Sequence, residues 1–205
     1  MKYIFVTGAP GSKWSSVVKN IYFSPDIDQS DYSNTRTYYH DALGKMDLMH
    51  LGAYWDPDME FGRFFHRLGE HDHYQCETEF DAPFTGSGVK IIKSHVFANQ
   101  IDYIRKTWPD CPIVLVHRPD DACLGWWVKC GQFDITYPNY AYYQGFRDMA
   151  QKIQQQNAGI VCAMRKYSGH TPLNNHQLCD ILNITPPPPK YHQDYGQSDV
   201  RITVI

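Results

Sequence analysis

Residues 3–22 constrain the fold more than any other stretch of the chain. Tyr3, Ile4, Phe5, Val6 and Thr7 are strand formers, Gly8 to Lys13 is a short Gly/Pro/Ser loop, and Trp14, Val17, Val18 and Ile21 recur at helical spacing. A strand that enters a helix through so tight a loop predicts an α/β fold, and it also predicts an anion site. Backbone N–H groups converge in such a loop, and the helix adds its unsatisfied amides and positive dipole end at the same point. Gly8 and Gly11 permit backbone angles and close approaches that a side chain blocks. Ser12, Ser15 and Ser16 add hydroxyls, and Lys13 adds a mobile positive charge. The spacing is not that of the nucleoside-triphosphatase loop G-x-x-x-x-G-K-[ST]: Lys13 stands five residues after Gly8 rather than six, and it follows Ser12 rather than a glycine. A glycine-rich β–α turn that binds nothing is the plain alternative.

The rest of the chain alternates strand and helix patterns. Val89 to Ser94 is a β-branched strand that runs into Lys93-Ser94-His95, and Ile101 and Ile104 mark a short helix that Pro109 stops. Pro112 to Val116 is a continuous apolar run, the pattern of a strand covered on both faces. It ends in His117-Arg118-Pro119. Asp120 and Asp121 then open a helix with Leu124, Trp127 and Val128 on its inner face and Gly131 as its stop. Residues 140–156 predict a further helix, Gly159 to Met164 a third buried strand, and Asn174 or Asn175 the cap of a last helix bearing Leu178, Ile181 and Leu182. Phe61, Phe64, Phe65 and Leu68 predict one apolar face of a helix over 58–69. Residues 23–45 and 77–88 read as loops, and the tail beyond Pro186–Pro189 as polar chain without regular structure. Nothing divides residues 1–205, so the expectation is one domain: a three-layer α/β fold with a central parallel sheet flanked by helices.

Composition narrows the partners. A chain of 205 residues buries a real core, and its formal charge of −3 argues against nucleic acid or another polyanion as partner. The six cysteines lie far apart with no C-x-x-C, as expected of buried thiols in a reducing compartment. The apolar N-terminal run is too short for a secretory signal core, and no run approaches membrane-spanning length. The expectation is a cytoplasmic protein with no membrane partner. His66, His71, His73 and Cys76 cluster as H-x4-H-x-H-x2-C, which is not a regular zinc spacing; a solvated helix end is the expected reading.

In a parallel sheet, ligands bind beyond the carboxyl ends of the strands, and three polar clusters fall there: the Gly8–Ser16 loop, Lys93-Ser94-His95 and His117-Arg118. Lys93 and His95, two apart at a strand end, are expected to project to one side. An imidazole there can take a proton from a hydroxyl, and the lysine can stabilise charge on a transferred anion. Beside a phosphate loop, these groups suit the movement of an anionic group from a nucleotide to an alcohol.

On these residues the chain resembles the sulfotransferase family that uses 3′-phosphoadenosine 5′-phosphosulfate. Thr7 to Ser16 looks like the family loop P-K/R-S-G-T-T, Lys93-Ser94-His95 is similar to its K-T-H, and Val116 to Gly125 looks like its R-N/D-P-x-D-x-x-x-S segment. The resemblance implies that His95 is the catalytic base, assisted by Lys13 and Lys93. It implies that Pro10, Gly11, Ser12, Lys13, Trp14, Ser15 and Ser16 hold the 5′ end of the cofactor, and that His117, Arg118 and Gly125 lie at the 3′-phosphate. It also implies a small-molecule hydroxyl acceptor and no metal. The acceptor is expected against an aromatic cleft of Tyr54, Trp55, Phe61, Phe65 and Phe84. The chain departs from the pattern at Gly11, where the family has a basic residue, at His117 in place of arginine, and at Gly125 in place of serine. A Mg-dependent P-loop kinase of a small molecule and a non-catalytic nucleotide-binding relative are the alternatives.

Overall fold

The structure, a computed structural model, describes residues 1–34, 36, 38–39, 49–57, 59–129, 145–191 and 199–205. Strand β1 (Tyr3–Gly8) is buried along its whole length. It lies between β4 (Lys90–Lys93) and β5 (Ile113–His117), parallel to both, with Phe5 opposite Ile92 on one side and Ile113 on the other. The last strand, β6 (Arg201–Val204), completes the order β4-β1-β5-β6 and runs antiparallel to β5, with His117 opposite Arg201 and Val114 opposite Val204. A separate two-stranded ribbon pairs β2 (Tyr38–Tyr39) with β3 (Met49–His50). The chain is α/β with a mostly parallel central sheet and helices on both faces.

Alternation along the strands divides the core in two. Ile4, Val6, Val114 and Val116 meet Trp14, Val17, Val18 and Ile21 of α1 (Trp14–Tyr22), Cys123 and Trp127 of α4 (Asp120–Lys129), and Leu178 and Leu182 of α6 (Asn175–Leu182). Tyr3, Phe5, Ile113 and Leu115 face the other way. They meet Phe80 of α2 (His73–Asp81), Ile101 and Ile104 of α3 (Ile101–Thr107), and Phe65, Phe97 and Trp108. Phe5 is the hub of that layer, with ring centroids 5.4 Å from Phe80, 5.8 Å from Phe97 and 5.5 Å from Trp108. Edge and tilted contacts of this kind add about 0.5–1.5 kcal/mol each beyond the area they bury. Helix α5 (Phe146–Lys166) reaches both layers, with Met149 and Ile153 in the first and Ile160 and Ala163 in the second.

The flanks of the sheet are closed by backbone hydrogen bonds. Val89 N–H donates to Asp26, Asp28 N–H to Val89, and Trp55 N–H to the Lys93 carbonyl at 3.1 Å, covering the outer side of β4. On the far side His170 and Val204 exchange a pair of 2.9 Å bonds.

Several sequence expectations are corrected. Gly159 to Met164 is the C-terminal half of α5, not a strand; a short apolar run does not distinguish the two, and here Ile153, Ile160 and Ala163 fall on one helix face. Among the described residues of the 58–69 segment, helix is confined to the stretch from Phe65 onward, part of the 3₁₀ element Phe65–Glu70. Residues 77–81 of the expected 77–88 loop belong to α2, whose Asp72 cap accepts from Gln75 N–H at 2.8 Å. The polar tail contains β6. Val128 is exposed rather than on the inner face of α4. The exposure of His66 and His73 agrees with the solvated reading of that stretch, although Cys76 is buried. Asn174 does cap α6, accepting from Gln177 N–H at 3.0 Å. Gly131 and residues 140–144 of the expected helix lie outside the described residues.

Gly159 shows how closely α5 sits on the turn after β4, since a Cβ there would lie 2.2 Å from the Ala98 carbonyl oxygen. Alanine normally stabilises a helix interior by about 1 kcal/mol over glycine. Here the sign reverses: Gly159→Ala is expected to lower the unfolding free energy by about 1–3 kcal/mol in urea denaturation. The exposed-site control Gln154→Ala should stay within about 0.5 kcal/mol of the native chain.

Candidate functional site

The loop after β1 is a closed turn. Ser12 N–H donates to the Ala9 carbonyl at 3.0 Å, Pro10 takes the first corner, and Gly11 takes the second at φ +80°, the pattern of a type II turn. Only glycine fits at that corner, because a Cβ would stand 2.1 Å from the Cys123 carbonyl oxygen of α4. Lys13, left-handed at φ 64°, then starts α1, which has no side-chain cap and no acidic residue in its first turn. Among the described residues, neither a side-chain cap nor a first-turn carboxylate compensates the positive end of the helix. The Ser12 hydroxyl beneath it is fully buried and has no hydrogen-bond partner among the described residues.

His95 sits against this loop. Its ring stacks on Trp14 with centroids 4.2 Å apart at 29°, and Tyr54 meets it edge-on at 5.7 Å. Its Nδ1 is hydrogen-bonded to the Gly8 carbonyl oxygen. A carbonyl only accepts, so Nδ1 carries the proton and Nε2 is the basic nitrogen of the neutral ring. Burial pulls the imidazole pKa below its usual value, against the opposing pull of Asp56 and the Gly8 carbonyl. The ring is thus held as the neutral base.

The third cluster reaches the same loop. Arg118 donates from Nη1 to the Gly11 carbonyl at 3.1 Å and from Nε to Asp199 at 2.8 Å. His117 ends β5 half-buried, its pKa lowered by burial. Directly opposite residues of an antiparallel pair share a face, so Arg201 of β6 stands beside His117 at the rim. Lys13 and Arg118 both lie over the Trp126 ring, at 5.2 and 5.8 Å from its centroid.

Other expected site residues are elsewhere. Lys93 does not share a side with His95, because the chain leaves the strand and His95 adopts helical angles. The Lys93 ammonium is buried on the Leu51 carbonyl, and Asp31 acts on it across that pocket; burial lowers its pKa to about 8. Asp31, itself buried, accepts from Tyr22 O–H and Ala53 N–H at 2.8 Å each, and burial raises its pKa. Lys93 is therefore a structural cation. Gly125 is exposed on α4 with open space around it. Trp14 is a wall behind His95, and Ser16 N–H returns to the Lys13 carbonyl at 3.0 Å. Tyr54, Trp55, Phe61 and Phe65 are core residues, not the walls of an open cleft.

Two further neighbours of the loop come from segments with no readable pattern. His50 of β3 shares a 3.0 Å hydrogen bond with Ser15 Oγ and stacks on Tyr54 at 5.7 Å. Asp56, fully buried, accepts from the Ser94 hydroxyl, from His95 N–H at 3.0 Å and from Tyr54 O–H at 2.9 Å.

The Lys93 site sets a pH dependence. Its folded pKa of about 8 lies below the unfolded value of 10.5, so the unfolded chain binds the extra proton between these limits and stability rises with pH there. Between pH 8 and 9.5 the native chain is expected to gain about 1–2 kcal/mol relative to Lys93→Met in paired urea titrations. Equal slopes in the two proteins would show that Lys93 is not a buried titrating group.

No family model, curated protein or solved structure matches this chain.

Proposed function

We propose that the chain is a sulfotransferase moving a sulfuryl group from 3′-phosphoadenosine 5′-phosphosulfate to the hydroxyl of a small-molecule acceptor. The observation that carries the reading is the meeting of three distant segments at one loop: His95 on the Gly8 carbonyl, Arg118 on the Gly11 carbonyl, and the uncapped start of α1 between them. The donor set fits a doubly anionic nucleotide. The first amides of α1 with the Ser12, Ser15 and Ser16 hydroxyls would hold the 5′ anion, and His117, Arg118 and Arg201 the second phosphate at the rim. When bound, the cofactor supplies the sulfuryl group already activated as an anhydride with phosphate.

The chain's own contribution is a positioned base and a positive field. His95 Nδ1 is committed to the Gly8 carbonyl, so Nε2 is the nitrogen that takes the acceptor's hydroxyl proton. Its lowered pKa keeps it unprotonated at neutral pH. Lys13 rests over Trp126 on a flexible stem at the head of α1 and neutralises charge gathering there.

A non-catalytic nucleotide-binding role is the second reading, favoured by the near-complete enclosure of His95, which is 4% exposed, and by the pairing of Arg118 with Asp199.

Thermal shift and turnover separate these. Near-saturating 3′-phosphoadenosine 5′-phosphate is expected to raise Tm by about 5 °C or more. Lys13→Ala and Arg201→Ala should shrink that shift. His95→Ala should retain it while losing about 10²–10⁴ of the transfer rate. Stabilisation by ATP with Mg²⁺ alone would select a kinase. Stabilisation by the bisphosphate with no turnover on phenols, alcohols and sugars would select the binding protein.

A further inference from the structure

The environment of Asp56 goes beyond what holding a turn requires. Both of its oxygens are engaged as acceptors: Oδ1 takes the Ser94 hydroxyl and the His95 N–H, and Oδ2 takes the Tyr54 hydroxyl. Two of these donors belong to the residues that place the His95 ring: Tyr54 packs edge-on against it, and the His95 backbone carries it. Asp56 is itself fully buried, so its charge acts through a low-dielectric interior rather than through water.

We propose that Asp56 is the positioning carboxylate of His95: it fixes the turn that carries the imidazole and balances the charge the ring gains on taking the acceptor's proton. The inference rests on the reading of His95 as the base. In that step the acceptor O–H bond breaks, the proton passes to Nε2, and the electron pair stays on the acceptor oxygen. A full positive charge then appears on a ring enclosed by Trp14 and Tyr54, where an unbalanced charge is costly. Among the described residues, the Gly8 carbonyl also favours the charged form of the ring, and Lys152 of α5 opposes it. Asp56 is the negative charge of the set.

The test is a histidine titration of the full chain followed by NMR with ¹⁵N-labelled histidine, His95 being assigned by the signals lost in His95→Gln. In Asp56→Asn the His95 midpoint is expected to fall by about one pH unit or more below the native value. In Tyr54→Phe it should rise, because the carboxylate loses a donor and its charge is less compensated. If Asp56 only packs the turn, its removal admits water and the midpoint rises towards about 6.5 instead. A rise or no change in Asp56→Asn overturns the proposal. Where Asp56→Asn alone does not fold, Tyr54→Phe/Asp56→Asn removes the hydroxyl that would face the new amide and leaves the oxygen for Ser94 and His95. The midpoint should again fall, and a rise again overturns the proposal.

Transfer assays on the same proteins keep the two readings apart. Asp56→Asn is expected to lower kcat about ten-fold or more, with the KM for the donor within about two-fold. A falling midpoint in a chain that transfers nothing on the acceptor panel overturns the sulfotransferase reading and leaves the Asp56–His95 coupling standing. An unmoved midpoint with full transfer does the reverse.

Discussion

Every other element takes its position from β1. Its residues are buried on both faces and paired on both edges, so it can lie only at the centre of the sheet. That central place puts the end of the strand, Gly8, between the ends of its two parallel neighbours. The β4 side then delivers His95 to the Gly8 carbonyl, and the β5 side delivers Arg118 to the Gly11 carbonyl. The loop is tight because α4 leaves no room for a side chain at Gly11. Packing and placement of the site are thus one problem, solved by the same few contacts.

The buried charges divide into two kinds. Lys93 and Asp31 are buried beneath the segment at Leu51 to Ala53 and tie that segment to the sheet, Lys93 by donating to the Leu51 carbonyl and Asp31 by accepting from Ala53 N–H. What the pair contributes is a fixed position for residues 51–56, and with it the placement of Tyr54 and Asp56. Asp56 belongs to the second kind, a charge placed beside a group that titrates.

Much of this was legible in sequence, for physical reasons. Strands β1, β4 and β5 are runs of β-branched and aromatic residues that end in turn formers, and their ends are where the candidate site lies. Helix α5 was split in two by reading because Gln156 and Asn157 interrupt its apolar face, although both are buried. The four-residue β6 was hidden by the polar chain before it. Within the site, the loop, His95 and Arg118 follow from local pattern. Arg201, His50 and Asp56 do not, because each arrives through pairing or packing between segments far apart in the chain. Lys93 and His95 do not project to one side because strand alternation ends at Lys93, where the chain turns.

The hydrogen bonds along the flanks of the sheet have a consequence for association. Beside β4 the N–H and carbonyl of Val89 and the carbonyl of Lys93 are taken by Asp26, Asp28 and Trp55, and beside β6 those of Val204 are taken by His170. Ladder growth from either side, the usual route by which one polypeptide adds a strand to another, first requires stripping these partners away. Along these stretches, adding a foreign strand competes with bonds the fold already makes.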